Sequence, residues 1–146
     1  MHQENKFSPK ISIITVVKNG EKYIEQNLKS VLNQNYKNHE QIVIDGESKD
    51  KTREILFKNK RDSLKIISEP DSGLYFAINK GIEKATGEII GILNSDDYYY
   101  EDALKIVANY FSKYPKIDFL YGSVYKHKVL HGFYPYKIYW TFGFYT

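Results

Sequence analysis

An apolar run, Ile89-Ile90-Gly91-Ile92-Leu93, stops abruptly at an amide, a hydroxyl and two adjacent carboxylates, Asn94-Ser95-Asp96-Asp97. Hard oxygen donors of this kind suit a divalent cation and the phosphates it carries. Two other short apolar runs end similarly, one in Asp45 and one in Glu69-Pro70-Asp71. If these runs are strands of one parallel sheet, their carboxyl ends share an edge, and ligands of such sheets bind there. A crevice on that edge would collect Asp45, Asp71, Asp96 and Asp97. Carboxylates so close repel one another unless cations or hydrogen-bond donors compensate. A divalent metal, Mg or Mn, carrying a nucleoside diphosphate would do so, with ribose and base against the neighbouring acids. Asn, Ser and Asp are also ordinary turn residues, and the stretch after Leu93 taken alone fits a solvated acidic turn equally well.

The elements that must position these groups alternate along the chain. Ile11 to Val17 is β-branched and continuous, which predicts a buried strand. Asn19-Gly20 breaks it and can cap a helix in which Tyr23, Ile24, Leu28, Val31 and Leu32 share a face. Gln41 to Asp45 reads as a second strand, followed by a short helix with Ile55 and Leu56 that Ser48 or Asp50 can cap. Leu64 to Ser68 is a third strand, and Ser72-Gly73 opens a helix running to about Ala85. The run ending at Leu93 is a fourth strand. Tyr100 to Tyr114 is helical, with Leu104, Val107, Ala108 and Phe111 inward, and Ile117 to Tyr121 is a fifth strand. This alternation predicts an α/β fold, a doubly wound, mainly parallel sheet with helices on both faces and right-handed crossovers.

Composition narrows the class. A chain of 146 residues with 42% hydrophobic and 27% charged residues suits one globular domain with a real core. There is no cysteine, hence no disulfide or thiolate chemistry, which fits a reducing, cytoplasmic setting. No run approaches the ~18 apolar residues needed to span a bilayer, and residues 1–10 lack a signal-peptide core. A net charge of +3 gives no argument for nucleic acid. Charge is uneven, though: after Ala103 the only acid is Asp118, against Lys105, Lys113, Lys116, Lys126, Lys128 and Lys137. The same region holds Phe133, Tyr134, Tyr136, Tyr139, Trp140, Phe142, Phe144 and Tyr145. Such rings are core or interface residues of a homo-oligomer, or a basic-aromatic surface for an acceptor or peripheral contact at the inner face of a membrane.

Three segments resemble the N-terminal, nucleotide-binding part of family 2 glycosyltransferases with the GT-A fold. They are ISIITVVKNGEKYIEQNLKSVLNQ, IVIDGESKDKT and EPDSGLYFAINKGIEKATGEIIGILNSDD, in the family's order and spacing over roughly residues 9 to 100. The resemblance implies inverting, metal-dependent transfer from a nucleotide-diphosphate sugar, typically a UDP-sugar, to a glycan or lipid-linked acceptor in polysaccharide or glycoconjugate synthesis. It implies that Asp45 accepts from the nucleobase, that Val16, Val17 and Asn19 frame the base, and that Asp71 lines the nucleotide pocket. Asn94-Ser95-Asp96 stands at the family's D-x-D motif, with Asp96 the metal ligand, Asn94 on ribose or a phosphate-bound water, and Asp97 beside the metal's first shell. Asn79 and Lys80 follow in the helix after Gly73; a lysine there can reach a diphosphate or simply face solvent.

The chain departs from the family pattern at several points. Gly46-Glu47-Ser48 replaces the usual Gly-Gly-Ser, and Phe76 stands where relatives have Asp. The resemblance implies that residues 1–146 are a single nucleotide-binding domain truncated before the family's acceptor half, which carries the catalytic base; no Asp or Glu follows Asp118, and His127 and His131 remain. A nucleotide-holding module without catalysis is therefore an open alternative. A dinucleotide-dependent dehydrogenase is disfavoured because Val16-Val17-Lys18-Asn19-Gly20 supplies no G-x-G-x-x-G. A nucleotidyltransferase would want a glycine-rich basic loop near the first strand, where only Lys18 stands.

Overall fold

The structure, a computed structural model, describes residues 8–122 and the backbone of 143–145. The elements in chain order are β1 (Ile11–Val17), α1 (Ile24–Leu32), β2 (His39–Asp45), α2 (Thr52–Lys58), β3 (Leu64–Ser68), α3 (Leu74–Glu83), β4 (Ile89–Ile92), α4 (Ala103–Lys113), β5 (Phe119–Tyr121) and β6 (Gly143–Tyr145). The strands form one sheet in the order β3-β2-β1-β4-β6-β5. The first four run parallel, and β6 pairs antiparallel with both β4 and β5. This is the predicted doubly wound, mainly parallel α/β sheet. Phe144 and Tyr145 fall in β6, which the sequence did not announce. The other C-terminal rings, His127 and His131 lie outside the described residues.

Alternation along the strands divides the core between two faces. Ile11, Ile13 and Ile89 point to one side, where they pack with Val31 of α1 and with Leu104, Val107, Ala108 and Phe111 of α4. On that side Val17 and Val43 also meet Ile24, Leu28 and Leu56 of α1 and α2. Ile14, Ile42 and Ile44 point the other way, onto Ala77 of α3. Gly81 of α3 lies so close to Ile14 that a Cβ there would collide with its Cγ2. Burying each of these aliphatic side chains contributes roughly 1.5–3 kcal/mol.

Several bounds differ from the sequence expectation, each for a local reason. Tyr23 and Leu32 are exposed rather than inward; the inner stripe of α1 is Ile24, Asn27, Leu28 and Val31. Asn19 does not cap α1, because Gly20 O accepts from Tyr23 N and Ile24 N instead. Helix α3 starts one residue later than expected, because Gly73 adopts φ 123°, ψ 171°. Asp102 holds a left-handed φ of 62°, so α4 cannot begin before Ala103. Strand β5 loses Ile117 to a turn in which Ile117 N donates to Tyr114 O.

At the amino-terminal edge, away from the oxygen-rich loops, Glu40 is enclosed and heavily bonded. Its Oε1 accepts from Ser12 Oγ (2.7 Å), Thr86 N (2.8 Å) and Thr86 Oγ1 (2.7 Å), while Lys65 Nζ lies 2.8 Å from Oε2. Burial alone would raise its pKa, but Lys65, Ser12 and Thr86 hold the charged form and bring it from 4.5 down to about 2. A folded-state pKa below the unfolded one means stability that is complete above about pH 4.5 and is lost as pH falls toward 2. Glu40→Gln should therefore cost about 2 kcal/mol at neutral pH. The gap to the parent, measured by urea unfolding, should narrow only below pH 4.5, where the unfolded carboxylate protonates first.

Candidate functional site

Parallel register brings four strand ends to one edge. Val17 pairs with Asp45 and Asp45 with Ser68, while Ile14 pairs with Ile92, two residues before Asn94. The loops after β1, β2, β3 and β4 thus open into one crevice. The first two are laced together. Asn19 N donates to Ser48 Oγ (2.8 Å), Gly20 N to Thr52 Oγ1 (2.8 Å) and Glu21 N to Asp50 Oδ2 (3.0 Å). In return Asn19 Oδ1 accepts from Lys49 N and Glu21 Oε2 from Lys51 N, both at 2.8 Å. Of the two expected caps of α2, Asp50 is the one used: its Oδ1 accepts from Thr52 N at 3.0 Å.

Asp45 lies on the expected edge but does not open into the crevice. Its side chain has no accessible surface. Oδ1 accepts from Ser48 N (3.1 Å) and from Ser48 Oγ, and Oδ2 accepts from Ser68 Oγ (2.6 Å). In this state the carboxylate ties the β2 and β3 ends together from beneath the crevice. Val17 likewise turns its side chain inward, onto the face covered by α1 and α2. Its carbonyl is also taken, by Gly46 N at 2.9 Å. Val16 faces the opposite core.

Asp71 and the turn after β4 are open. Asp71 Oδ1 accepts from Gly73 N at 2.9 Å, and its Oδ2 lies over Gly46, where a Cβ would strike it. The stem of exposed Lys18 passes the same glycine. In the turn itself, Asp97 N donates to Asn94 O at 3.0 Å. Asn94 and Asp96 are exposed, Ser95 and Asp97 half-buried. Burial, and then the charge of Asp96, pushes the Asp97 carboxyl above its ordinary value. A cation placed between them would remove that repulsion. Among the described residues no group of three or more His, Cys, Asp or Glu side chains is arranged to hold a metal. Asp96 and Asp97 still suit Mg²⁺, which takes one or two carboxylates and fills the rest of its shell with phosphate oxygens and water. Lys80 is not free for a phosphate here, since its Nζ pairs with Glu69 Oε1 at 2.7 Å; Asn79 beside it is exposed.

The Glu47 departure has a backbone meaning. Glu47 sits at φ 53°, a left-handed conformation that glycine adopts without strain and a side chain costs about 1 kcal/mol to adopt. Phe76 is also accommodated, as an exposed ring on the first turn of α3 beside exposed Leu74 and Tyr75.

Parallel strands feeding oxygen-rich loops into one crevice define an α/β domain of the kind that holds nucleotides. The family description of glycosyl transferase family 2 matches residues 12–146, and the chain belongs to that family. It is 35% identical over 116 residues to an uncharacterized glycosyltransferase of Rickettsia typhi, covering 80% of this chain and 36% of the relative. It is 36% identical over 102 residues to the putative teichuronic acid biosynthesis glycosyltransferase TuaG of Bacillus subtilis, covering 68% and 40%. Among solved structures, S. aureus TarS 1-349 in complex with UDP-GlcNAc superposes with a TM-score of 0.72 at 30% identity, over 84% of this chain and 36% of TarS. The mannosyltransferase PcManGT from Pyrobaculum calidifontis, in complex with GDP-Man and Mn²⁺, shares the fold with a TM-score of 0.70 at 24% identity, over 82% of this chain and 36% of that one. The chain thus spans 36–40% of the length of these relatives.

Two stability outcomes follow. Asp45→Ala, which leaves Ser48 N and both serine hydroxyls without their acceptor, should cost about 2–3 kcal/mol, and Asp45→Asn about 1 kcal/mol, in urea unfolding. Glu47→Gly should raise the thermal midpoint, by roughly 0.5–1 kcal/mol in stability, whereas the same change at Lys51, where φ is −74°, should lower it.

Proposed function

We propose that this chain holds the nucleotide-diphosphate sugar of an inverting, metal-dependent glycosyltransferase that acts in polysaccharide or glycoconjugate synthesis. The observation that carries the reading is the pair Asp96 and Asp97 on a turn that opens at the same sheet edge as Asp71. TarS, bound to UDP-GlcNAc, supports a UDP-sugar as the donor. TuaG, with its printed role in teichuronic acid biosynthesis, supports a glycan or lipid-linked acceptor.

In this reading Asp96 ligates the divalent metal, Mg or Mn, and Asp97 backs it through a metal-bound water. When bound, the metal supplies positive charge against the developing charge of the leaving diphosphate. Asn94 and Ser95 offer hydrogen bonds to ribose and phosphate oxygens, and Asp71 lines the pocket. Asn19 keeps the loops after β1 and β2 in register. Asp45 acts from the floor: its Ser48 and Ser68 bonds fix the loop on which a base would rest. Direct acceptance from a uracil N–H would require the residues covering Asp45 to move aside, since its Oδ2 still has a lone pair but no open surface. Residues 119–146 hold no carboxylate that could take the acceptor proton.

A second reading is a module that binds the nucleotide-sugar without transferring it. The two are separated by following sugar release from UDP-sugars with and without acceptor. Among the described residues no helix is long and apolar enough to cross a membrane. Asp96→Ala should reduce Mn²⁺-dependent UDP binding at least a hundredfold in titration calorimetry. Unchanged, metal-dependent binding by that variant would remove Asp96 from the metal site and sink this assignment.

A further inference from the structure

The Asn94–Asp97 turn is held from below by a side chain that belongs to neither the turn nor its strand. Asn27, on the inner stripe of α1, has no accessible surface. Its Nδ2 donates to Asn94 O and to Asp97 O, both at 2.9 Å, so one amide group spans the two ends of the turn. Its Oδ1 accepts from Gln41 Nε2 at 2.9 Å, and the second hydrogen of that amide goes to Thr15 Oγ1 at 3.1 Å. Gln41 and Thr15 are also fully buried. The reverse orientation of Asn27 would set Oδ1 against two carbonyl oxygens and Nδ2 against a donor, so the network admits one arrangement only. The row leads from the middle of β1 and β2, through α1, to the backbone that carries Asp96.

We propose that Asn27 is a positioning residue for the metal-bearing turn, fixing the spacing and direction of Asp96 and Asp97 through the carbonyls on either side of them. This rests on the metal reading given above. The two carbonyls bracket Ser95 and Asp96, so holding both at one nitrogen fixes the backbone from which the carboxylates project. Removing a buried donor of two hydrogen bonds takes a partner from both carbonyls, and only Asn94 O keeps a second one, Asp97 N. Asn27 therefore differs from its neighbours Ile24, Leu28 and Val31, whose inward side chains serve packing alone.

The test uses Asn27→Leu, close in size but without a donor, and Asn27→Thr, whose one hydroxyl hydrogen can serve a single carbonyl. UDP binding is measured by calorimetry with and without Mn²⁺, alongside the thermal midpoint and far-ultraviolet circular dichroism, well below that midpoint. The readout is the ratio of affinity with metal to affinity without it. In Asn27→Leu this ratio should fall at least tenfold while metal-free UDP affinity moves by less than twofold; Asn27→Thr should lie between it and the parent. A purely structural role would lower the midpoint and leave the ratio intact in whatever protein remains folded, and that result would overturn the inference. If Asn27→Leu does not fold, Asn27→Thr decides on the same ratio. If the parent itself shows no metal-dependent UDP binding, the metal reading falls first and the inference with it. A parent that binds, beside variants that keep its ratio, fails the positioning role alone.

Discussion

A parallel sheet covered on both faces must satisfy internally every polar group that it turns inward, and this constraint organises the molecule. β1 and β2 carry Ser12, Thr15, Glu40, Gln41 and Asp45, all buried. Each has found a partner that also ties down something else. Glu40 holds Thr86 at the amino-terminal edge, Gln41 passes its hydrogen bond to Asn27 in the middle, and Asp45 joins Ser48 and Ser68 at the carboxyl-terminal edge. The polar residues thus act as fasteners in an otherwise aliphatic core. Lost partners inside such a core cost about 1–3 kcal/mol each, so the loops they fasten are not free to drift.

The crevice inherits its rigidity from these fasteners and its electrostatics from what is left unfastened. Asp45 and Glu69 are spoken for, by serine hydroxyls and by Lys80. The carboxylates that remain open are Glu47 and Asp96 and, in part, Asp71 and Asp97. The Lys18 stem passes beside Asp71 at Gly46.

Much of this was readable from the residues. β1 and β3 have the bounds their apolar runs predict, since β-branched runs closed by turn residues leave little choice. The convergence of strand ends follows from parallel topology, which sets Asp71 and Asn94 to Asp97 at one sheet edge. The directions of Val17 and Asp45 were not readable. A strand buried on both faces shows no polar-apolar alternation, so nothing in the sequence says which way a given residue turns. Asn27 was missed for a related reason: a pattern search assigns polar residues to solvent, although its spacing from Ile24 and Val31 sets it on the apolar stripe. The lacing of the first two loops had a signal in retrospect, the alternation Ser48, Asp50, Thr52, in which every second residue reaches back to the first loop. β6 had none, because its partners are distant in sequence.

The place of β6 has a consequence for how the protein is made. Among the described strands β5 pairs only with β6, and β6 covers the outer edge of β4. As the chain leaves the ribosome, β1 to β4 can assemble while that edge, with Ile90 and Ile92 along it, still has unpaired backbone groups. It stays open until residues 143–145 emerge, and a bare strand edge is a template for a neighbouring nascent chain. Completion of the sheet at this edge therefore waits for the last described strand to be made.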